Sequence, residues 1–130
     1  MKLILIDDNY QFRNDLKYFV EEQLKMEVID EASSGEEFLA LNTIHSADII
    51  LMDIVLKKMN GIETTKRILQ QFPNLKVIAI TMYVEQVFHA ELIRVGFKGC
   101  VYKSDVFDCI EQAIKEVHQG HLYFPKCLVM

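Results

Sequence analysis

Three four-residue apolar runs in this chain each stop on a residue able to handle phosphate or a metal ion. Leu3 to Ile6 runs into Asp7 and Asp8, Ile49 to Met52 into Asp53, and Val77 to Ile80 into Thr81. A later β-like stretch, Gly99 to Tyr102, runs into Lys103. Continuous apolar runs of this length, separated by helix-like sequence, are what strands of a parallel sheet look like when both faces are covered. All carboxyl ends of a parallel sheet lie along one edge, where open α/β sheets bind ligands. Three carboxylates, a hydroxyl and an ammonium group are thereby expected to converge from distant parts of the chain.

The 130 residues suit one domain with a single core. With 51% apolar residues the chain is not a disordered acidic segment. A net charge of −5 argues against a nucleic-acid surface, which carries a basic stripe. No apolar stretch reaches the 18 residues of a membrane span. Met1 and Lys2 lead straight into the first strand and leave no room for a signal peptide, so a cytoplasmic protein is expected. Cys100, Cys109 and Cys127 are odd in number and lack a CxxC pairing. They read as reduced thiols, with Cys100 and Cys109 acting as small buried hydrophobes.

Strand and helix alternate five times. The first strand spans Lys2 to Ile6, followed by a helix with Phe12, Leu16, Phe19, Val20 and Leu24 on one stripe. Glu27 to Ala32 is a more polar strand, suited to a sheet edge. Ser34 to Glu37 has the spacing of a capping box and opens the second helix. Ala47 to Asp53 is the third strand, and Asn60 caps a helix that Pro73 and Asn74 close. Val84, Val87, Phe88, Leu92 and Val95 mark a fourth helix ending at Gly96. After the fifth strand Ser104 is expected to cap a last helix through Val106, Ile110, Ala113, Ile114 and Val117, ended by Gly120. Five βα units with right-handed crossovers give a three-layer sandwich. The paired acids of strand one meet the acid of strand three only if those strands are neighbours, which is the order 2-1-3-4-5.

Two like charges ~4 Å apart repel by roughly 4 kcal/mol at an effective dielectric of ~20. Asp7, Asp8 and Asp53 together therefore demand a proton or a cation beyond what Lys103 supplies. Carboxylates, a backbone carbonyl and water suit Mg²⁺. With a hydroxyl and a lysine alongside, the set is equipped for phosphoryl transfer to a carboxylate nucleophile. Taken singly, an Asp-Asp pair after a strand is ordinary turn chemistry, and a Thr or Lys at a strand end marks entry to solvent. The joint placement on four strands carries the functional reading. His118 and His121, three apart at a helix end, read as surface histidines; Glu21, Glu22, Lys57 and Lys58 read as solvated faces.

Leu3 to Asn9, Ile49 to Gly61, Val77 to Tyr83 and Gly96 to Lys103 resemble the receiver domain of two-component response regulators, over residues 2 to about 120. The resemblance implies a flavodoxin-like α/β fold with the same five-stranded order and five helices. It implies that Asp53 is the phospho-acceptor and Asp8 a direct Mg²⁺ ligand, with Asp7 acting through water and the Val55 backbone carbonyl completing the metal site. Thr81 is then the switch hydroxyl, and Lys103 contacts the phosphoryl group. Thr81 to Tyr83, Lys103-Ser104 without a following proline, and Ala113 through Tyr123 are similar to the LuxR/NarL-type subfamily, which precedes a helix-turn-helix output domain. Two departures stand out: Lys57 replaces a common proline, and Cys100 stands three before Lys103, where the family carries its signalling aromatic. Tyr102 shares the strand face of Cys100 by parity and is the candidate substitute.

The expected function is a phosphorylation-controlled switch rather than an enzyme. A sensor histidine kinase or phosphotransfer protein is the donor, and a homodimer that depends on phosphorylation is one form of output. No membrane is involved, and DNA would be met only through a further output domain controlling transcription. Residues 1 to 120 form the receiver and 121 to 130 a tail that resembles the start of a linker. A Mg²⁺-dependent phosphohydrolase is the alternative, but it needs an acid two residues after the nucleophile, where Val55 stands. A degenerate receiver acting only as a binding module is the other.

Overall fold

The computed structural model describes residues 1–82 and 86–125, with Gln86 and Val87 described by their backbone alone. Tyr83, Val84 and the segment 126–130, including Cys127, lie outside the described residues, as does the Val87 side chain. The chain runs β1 (Lys2–Ile6), α1 (Tyr10–Tyr18), β2 (Glu27–Ala32), α2 (Gly35–Leu39), β3 (Ile49–Asp53), α3 (Gly61–Gln71), β4 (Val77–Thr81), α4 (Gln86–Val95), β5 (Gly99–Tyr102) and α5 (Val106–His118). All strand pairs are parallel, in the order β2-β1-β3-β4-β5. β1 and β3 are neighbours, as the meeting of their acids requires.

The alternation of side chains along each strand divides the core in two. Ile4, Ile6, Ile50, Met52, Val77, Ala79 and Cys100 face α2, α3 and α4, where Phe38, Ile68 and Leu92 meet them. Leu3, Leu5, Ile49, Leu51, Ile78, Ile80 and Val101 face α1 and α5, against Leu16, Val20, Ile110, Ile114 and Val117. Full burial of one such side chain stabilises the fold by roughly 1.5–3 kcal/mol. This two-sided burial is why the strands read as unbroken apolar runs. The polar β2 lies at one edge of the sheet, as its composition suggests.

Helix starts follow the capping chemistry at three sites. Asn9 accepts from the Phe12 N–H, Ser34 from the Glu37 N–H and Asn60 from the Glu63 N–H. Glu37 reaches back to the Ser33 N–H, one residue earlier than a standard capping box. The expected Ser104 cap is a correction. Ser104 lies inside a 3₁₀ turn, Lys103–Asp105, and α5 starts at Val106 without a side-chain cap. The tight turn brings Lys103 back over the sheet edge before the helix begins. β3 starts at Ile49 rather than Ala47, because Ala47 closes a 3₁₀ turn and Asp48 accepts the Lys2 N–H. Helix one widens into a π-type turn over Phe19–Gln23. Gly96 ends α4 at φ +120°, the left-handed cap expected of it.

Gly61 shows how tightly α3 is set against the sheet edge. Its N–H bonds the Ile54 carbonyl at 2.9 Å, and a Cβ there would lie 2.2 Å from the Asp53 carbonyl oxygen. That clash is with backbone, so relief requires α3 or the end of β3 to move. Gly61→Ala is expected to destabilise the protein by about 3 kcal/mol in chemical denaturation. A loss below about 0.5 kcal/mol would show that the β3–α3 junction yields freely.

Candidate functional site

Strand register assembles the site. Ile6 pairs with Met52, so the next residues along, Asp7 and Asp53, emerge side by side. Thr81 pairs with Tyr102, which places Lys103 just beyond the end of β5. Asp7 and Asp53 are buried at 4% and 2% exposure, Thr81 is fully buried, and Asp8 faces solvent. One carboxylate oxygen from each of Asp7, Asp8 and Asp53 falls within 4.8 Å of the others, the single acidic cluster of this kind among the described residues.

Each acid is held by its own turn. Asp7 Oδ1 accepts the Asn9 N–H at 2.8 Å, and Arg13 donates to the Asp7 carbonyl while its Nε bonds Glu31 at 2.9 Å. Asp53 Oδ1 accepts the Val55 N–H at 3.1 Å. The remaining oxygens turn toward Lys103, whose Nζ lies 3.0 Å from Asp7 Oδ2 and 3.5 Å from Asp53 Oδ2. The same ammonium sits 4.5 Å above the Phe12 ring centroid, a cation–π contact that fixes its approach. Phe12 belongs by its spacing to the core stripe of the first helix. It does pack there, and nothing in its spacing distinguishes a core phenylalanine from one that also carries a lysine.

The charges do not balance. Burial pushes the Asp53 carboxyl up from 3.8 to about 7, and Asp7 adds to the rise against the opposing pull of Lys103 and the Val55 N–H. Asp7 Oδ2 is buried and accepts no hydrogen bond among the described residues; its contact is the ion pair with Lys103 at 3.0 Å. Oxygen-only donors, one of them buried without a hydrogen bond and another open to water, fit a hard divalent cation. Val55, half exposed, supplies its N–H to Asp53.

Cys100 is fully buried on the core face below Tyr102, and burial pushes its thiol up to about 12, so it behaves as the small hydrophobe its position suggests. Tyr102 is on the same face, as parity predicts, with its hydroxyl 2.8 Å from His89 Nε2 of α4. His89 is a lone histidine in an apolar stripe, and no sequence pattern marks it for this contact. His118 and His121 do not converge: the His121 ring pairs with Glu116, while the His118 carbonyl accepts from Lys76. Lys57 and Lys58 are exposed.

The chain belongs to the response regulator receiver domain family, whose model it matches over residues 3–115. It is 35% identical over 120 residues to the transcriptional regulatory protein LiaR of Bacillus subtilis (strain 168), covering 92% of this chain and 57% of that protein. It is 29% identical over 123 residues to the transcriptional regulatory protein DegU of Brevibacillus brevis, covering 95% and 52%. A two-component response regulator of the LuxR family from Aurantimonas sp. SI85-9A1 superposes with a TM-score of 0.87 at 27% identity, over 94% of this chain and 87% of that one. These relatives are LuxR/NarL-family regulators, and the chain spans about half the length of the curated ones it matches. Among the described residues no helix is long and apolar enough to cross a membrane.

The raised Asp53 value has a definite sign for stability. The folded state retains a proton that the unfolded chain has released above about pH 4, so the stability it contributes is complete below 3.8 and is lost as pH rises through about 7. With divalent cations chelated, the melting temperature is expected to fall between about pH 4 and 7. Asp53→Asn should lack that decline and melt about 5 °C or more above the wild type at pH 8. Parallel curves for the two proteins would show that Asp53 is not strained.

Proposed function

We propose that this chain is the phospho-accepting switch of a two-component pair, with Asp53 taking a phosphoryl group from a histidine kinase or phosphotransfer protein. The observation that supports this best is the buried, proton-hungry Asp53 set against Asp7, Asp8 and Lys103 at the carboxyl edge of a parallel sheet. Asp7, Asp8, Asp53 and the Val55 carbonyl would hold Mg²⁺. When bound, Mg²⁺ supplies the positive charge that removes the Asp53 proton and neutralises phosphoryl oxygens.

A carboxylate oxygen of Asp53 attacks phosphorus as the donor's P–N bond breaks, and the imidazole leaves with the bonding pair. Lys103, now 3.5 Å from Asp53, exchanges its carboxylate contacts for a phosphoryl oxygen. Thr81 donates its hydroxyl to another oxygen. The donor approaches along the open groove beside Lys103 formed by Phe12, Met82, Ser104 and Phe107. Output is a change of protein contacts on α4, β5 and α5, with self-association as one form. Control of transcription runs through an attached or partner output domain in the cytoplasm. The acidic surface offers no electrostatic attraction for DNA, and the helices are occupied in covering the sheet.

Incubation with Mg²⁺ and a small acyl phosphate is expected to add one phosphoryl group, mapped by mass spectrometry to Asp53 and absent in Asp53→Asn. Equal labelling of that variant would overturn the assignment. Lys103→Ala should weaken binding of beryllofluoride about tenfold or more while leaving Mg²⁺ binding measurable. An unchanged beryllofluoride affinity would remove Lys103 from the phosphoryl site.

The phosphoryl group is also expected to be long-lived, over many minutes or more. Hydrolysis needs a water in line with phosphorus, and Val55 has no side-chain hydrogen bond to orient one. Exposed Met82 stands near the approach; Tyr83, expected to crowd it as well, lies outside the described residues. Loss of label within seconds would contradict this, and Val55→Asn with Tyr83→Glu should shorten the lifetime.

A further inference from the structure

Beyond α5 the chain turns back on itself. Gly120 adopts φ +96°, its N–H bonds the Val117 carbonyl, and the His121 N–H bonds the Glu116 carbonyl. Residues 122–124 then run along the free edge of β5. Tyr123 bridges Gly99 in parallel sense, its N–H donating to the Lys98 carbonyl at 3.0 Å and its carbonyl accepting the Cys100 N–H at 2.8 Å. The next residue, Phe124, lies with its ring centroid 5.8 Å from that of His89 on α4. His89 in turn stacks at 5.8 Å on Tyr102 and shares the 2.8 Å hydrogen bond with its hydroxyl. Tyr102 is the register partner of Thr81. Strand register from Thr81 to Tyr102, and side-chain contacts from Tyr102 through His89 of α4 to Phe124, thus link the sheet edge to the segment after α5.

We propose that the β5 edge and the His89 ring form a docking surface for this chain's own segment Leu122–Phe124, and that phosphorylation at Asp53 loosens this strap through Tyr102 and His89. The proposal rests on the phosphoryl-switch reading of Asp53. The surface fits this occupant for three reasons. Its backbone groups pair as an added strand, which satisfies an edge that would otherwise be open. Phe124 packs on the core face that holds Cys100 and Tyr102. Gly99 leaves room for nothing bulkier: a Cβ there would lie 3.0 Å from the Tyr123 carbonyl oxygen and 3.2 Å from the Val117 side chain.

The chemistry also explains how the site could reach the strap. His89 is 6% exposed, and burial holds its ring below the usual histidine value, so a neutral imidazole faces the Tyr102 hydroxyl. Thr81 and Tyr102 are paired across β4 and β5, so a shift of Thr81 toward a phosphoryl oxygen opens space beside Tyr102, and a Tyr102 ring that moves into it leaves the buried His89 to find another arrangement. The ring on the far side of His89 is Phe124. With the small Cys100 on this face, Tyr102 and His89 form a polar contact between β5 and α4.

Linkage makes the test two-sided: if the mimic loosens the strap, releasing the strap must raise the affinity for the mimic, by the full coupling factor only when release is complete. Amide exchange of the whole chain is measured by NMR with and without Mg²⁺ and beryllofluoride. Exchange at Cys100 and Tyr123 is expected to accelerate about fivefold or more on adding the mimic. Phe124→Ala, a change at a half-buried residue, should raise mimic affinity about threefold or more. Gly99→Ala, which presses on the strap's backbone, should act in the same direction. Unchanged or slower exchange at Cys100 and Tyr123, with the Ile54 and Val55 amides responding, overturns the strap and leaves the phosphoryl switch standing. So does a Phe124→Ala protein that binds the mimic as the wild type does. Silence at Ile54 and Val55 as well rejects the phosphoryl switch, and the strap with it.

Discussion

The site depends on an uncompensated charge at one edge of the sheet. Asp7 and Asp53 are buried beside each other, Asp8 closes the cluster from solvent, and Lys103 alone among the described residues is paired with the two buried acids. Two carboxylates against one ammonium, in a medium that screens poorly, leave the fold with a preference for one more positive charge. A proton on Asp53 satisfies that preference, and so does a divalent cation. The fold tolerates the imbalance because two apolar faces, each filled by strand side chains against helices, stabilise the sheet independently of its edge.

Rigid placement is what turns this imbalance into a usable site. The acids do not relax apart, since parallel register fixes β1 beside β3 and Gly61 seats α3 on the Asp53 backbone. Turn hydrogen bonds from Asn9 and Val55 hold one oxygen of each buried carboxylate and leave the other facing Lys103. Phe12 beneath the ammonium and the 3₁₀ turn after β5 hold Lys103 over both. The preorganised donors and charges then act without the reorganisation that water would require.

The sequence made the sheet and the acidic cluster legible for a simple reason. Strands buried on both faces are written as unbroken apolar runs, and the residue ending each run is the one delivered to the ligand edge. Leu3 to Asp8 and Ile49 to Asp53 therefore announce both fold and site. Local chemistry was readable where a side chain caps its own helix, as at Asn9, Ser34 and Asn60, and failed at Ser104, which a 3₁₀ turn carries before the helix start at Val106. The site contacts of His89 and Phe12 were not legible, although Phe12 was placed in the core stripe where it packs. Each sits at a helical position that packing alone explains, and their polar or cationic contacts arise from strands remote in sequence. The path of Leu122 to Phe124 along β5 was equally hidden, because backbone pairing leaves little mark on side-chain pattern.

The account turns on Asp53 being held in a state that calls for positive charge. Carbon-13 NMR of the Asp53 side-chain carboxyl, titrated with pH in the presence and absence of Mg²⁺, reads that state directly. The account predicts a midpoint near 7 without the cation, and a fall by about two units or more when Mg²⁺ is present. A midpoint near the ordinary aspartate value in both conditions would contradict it.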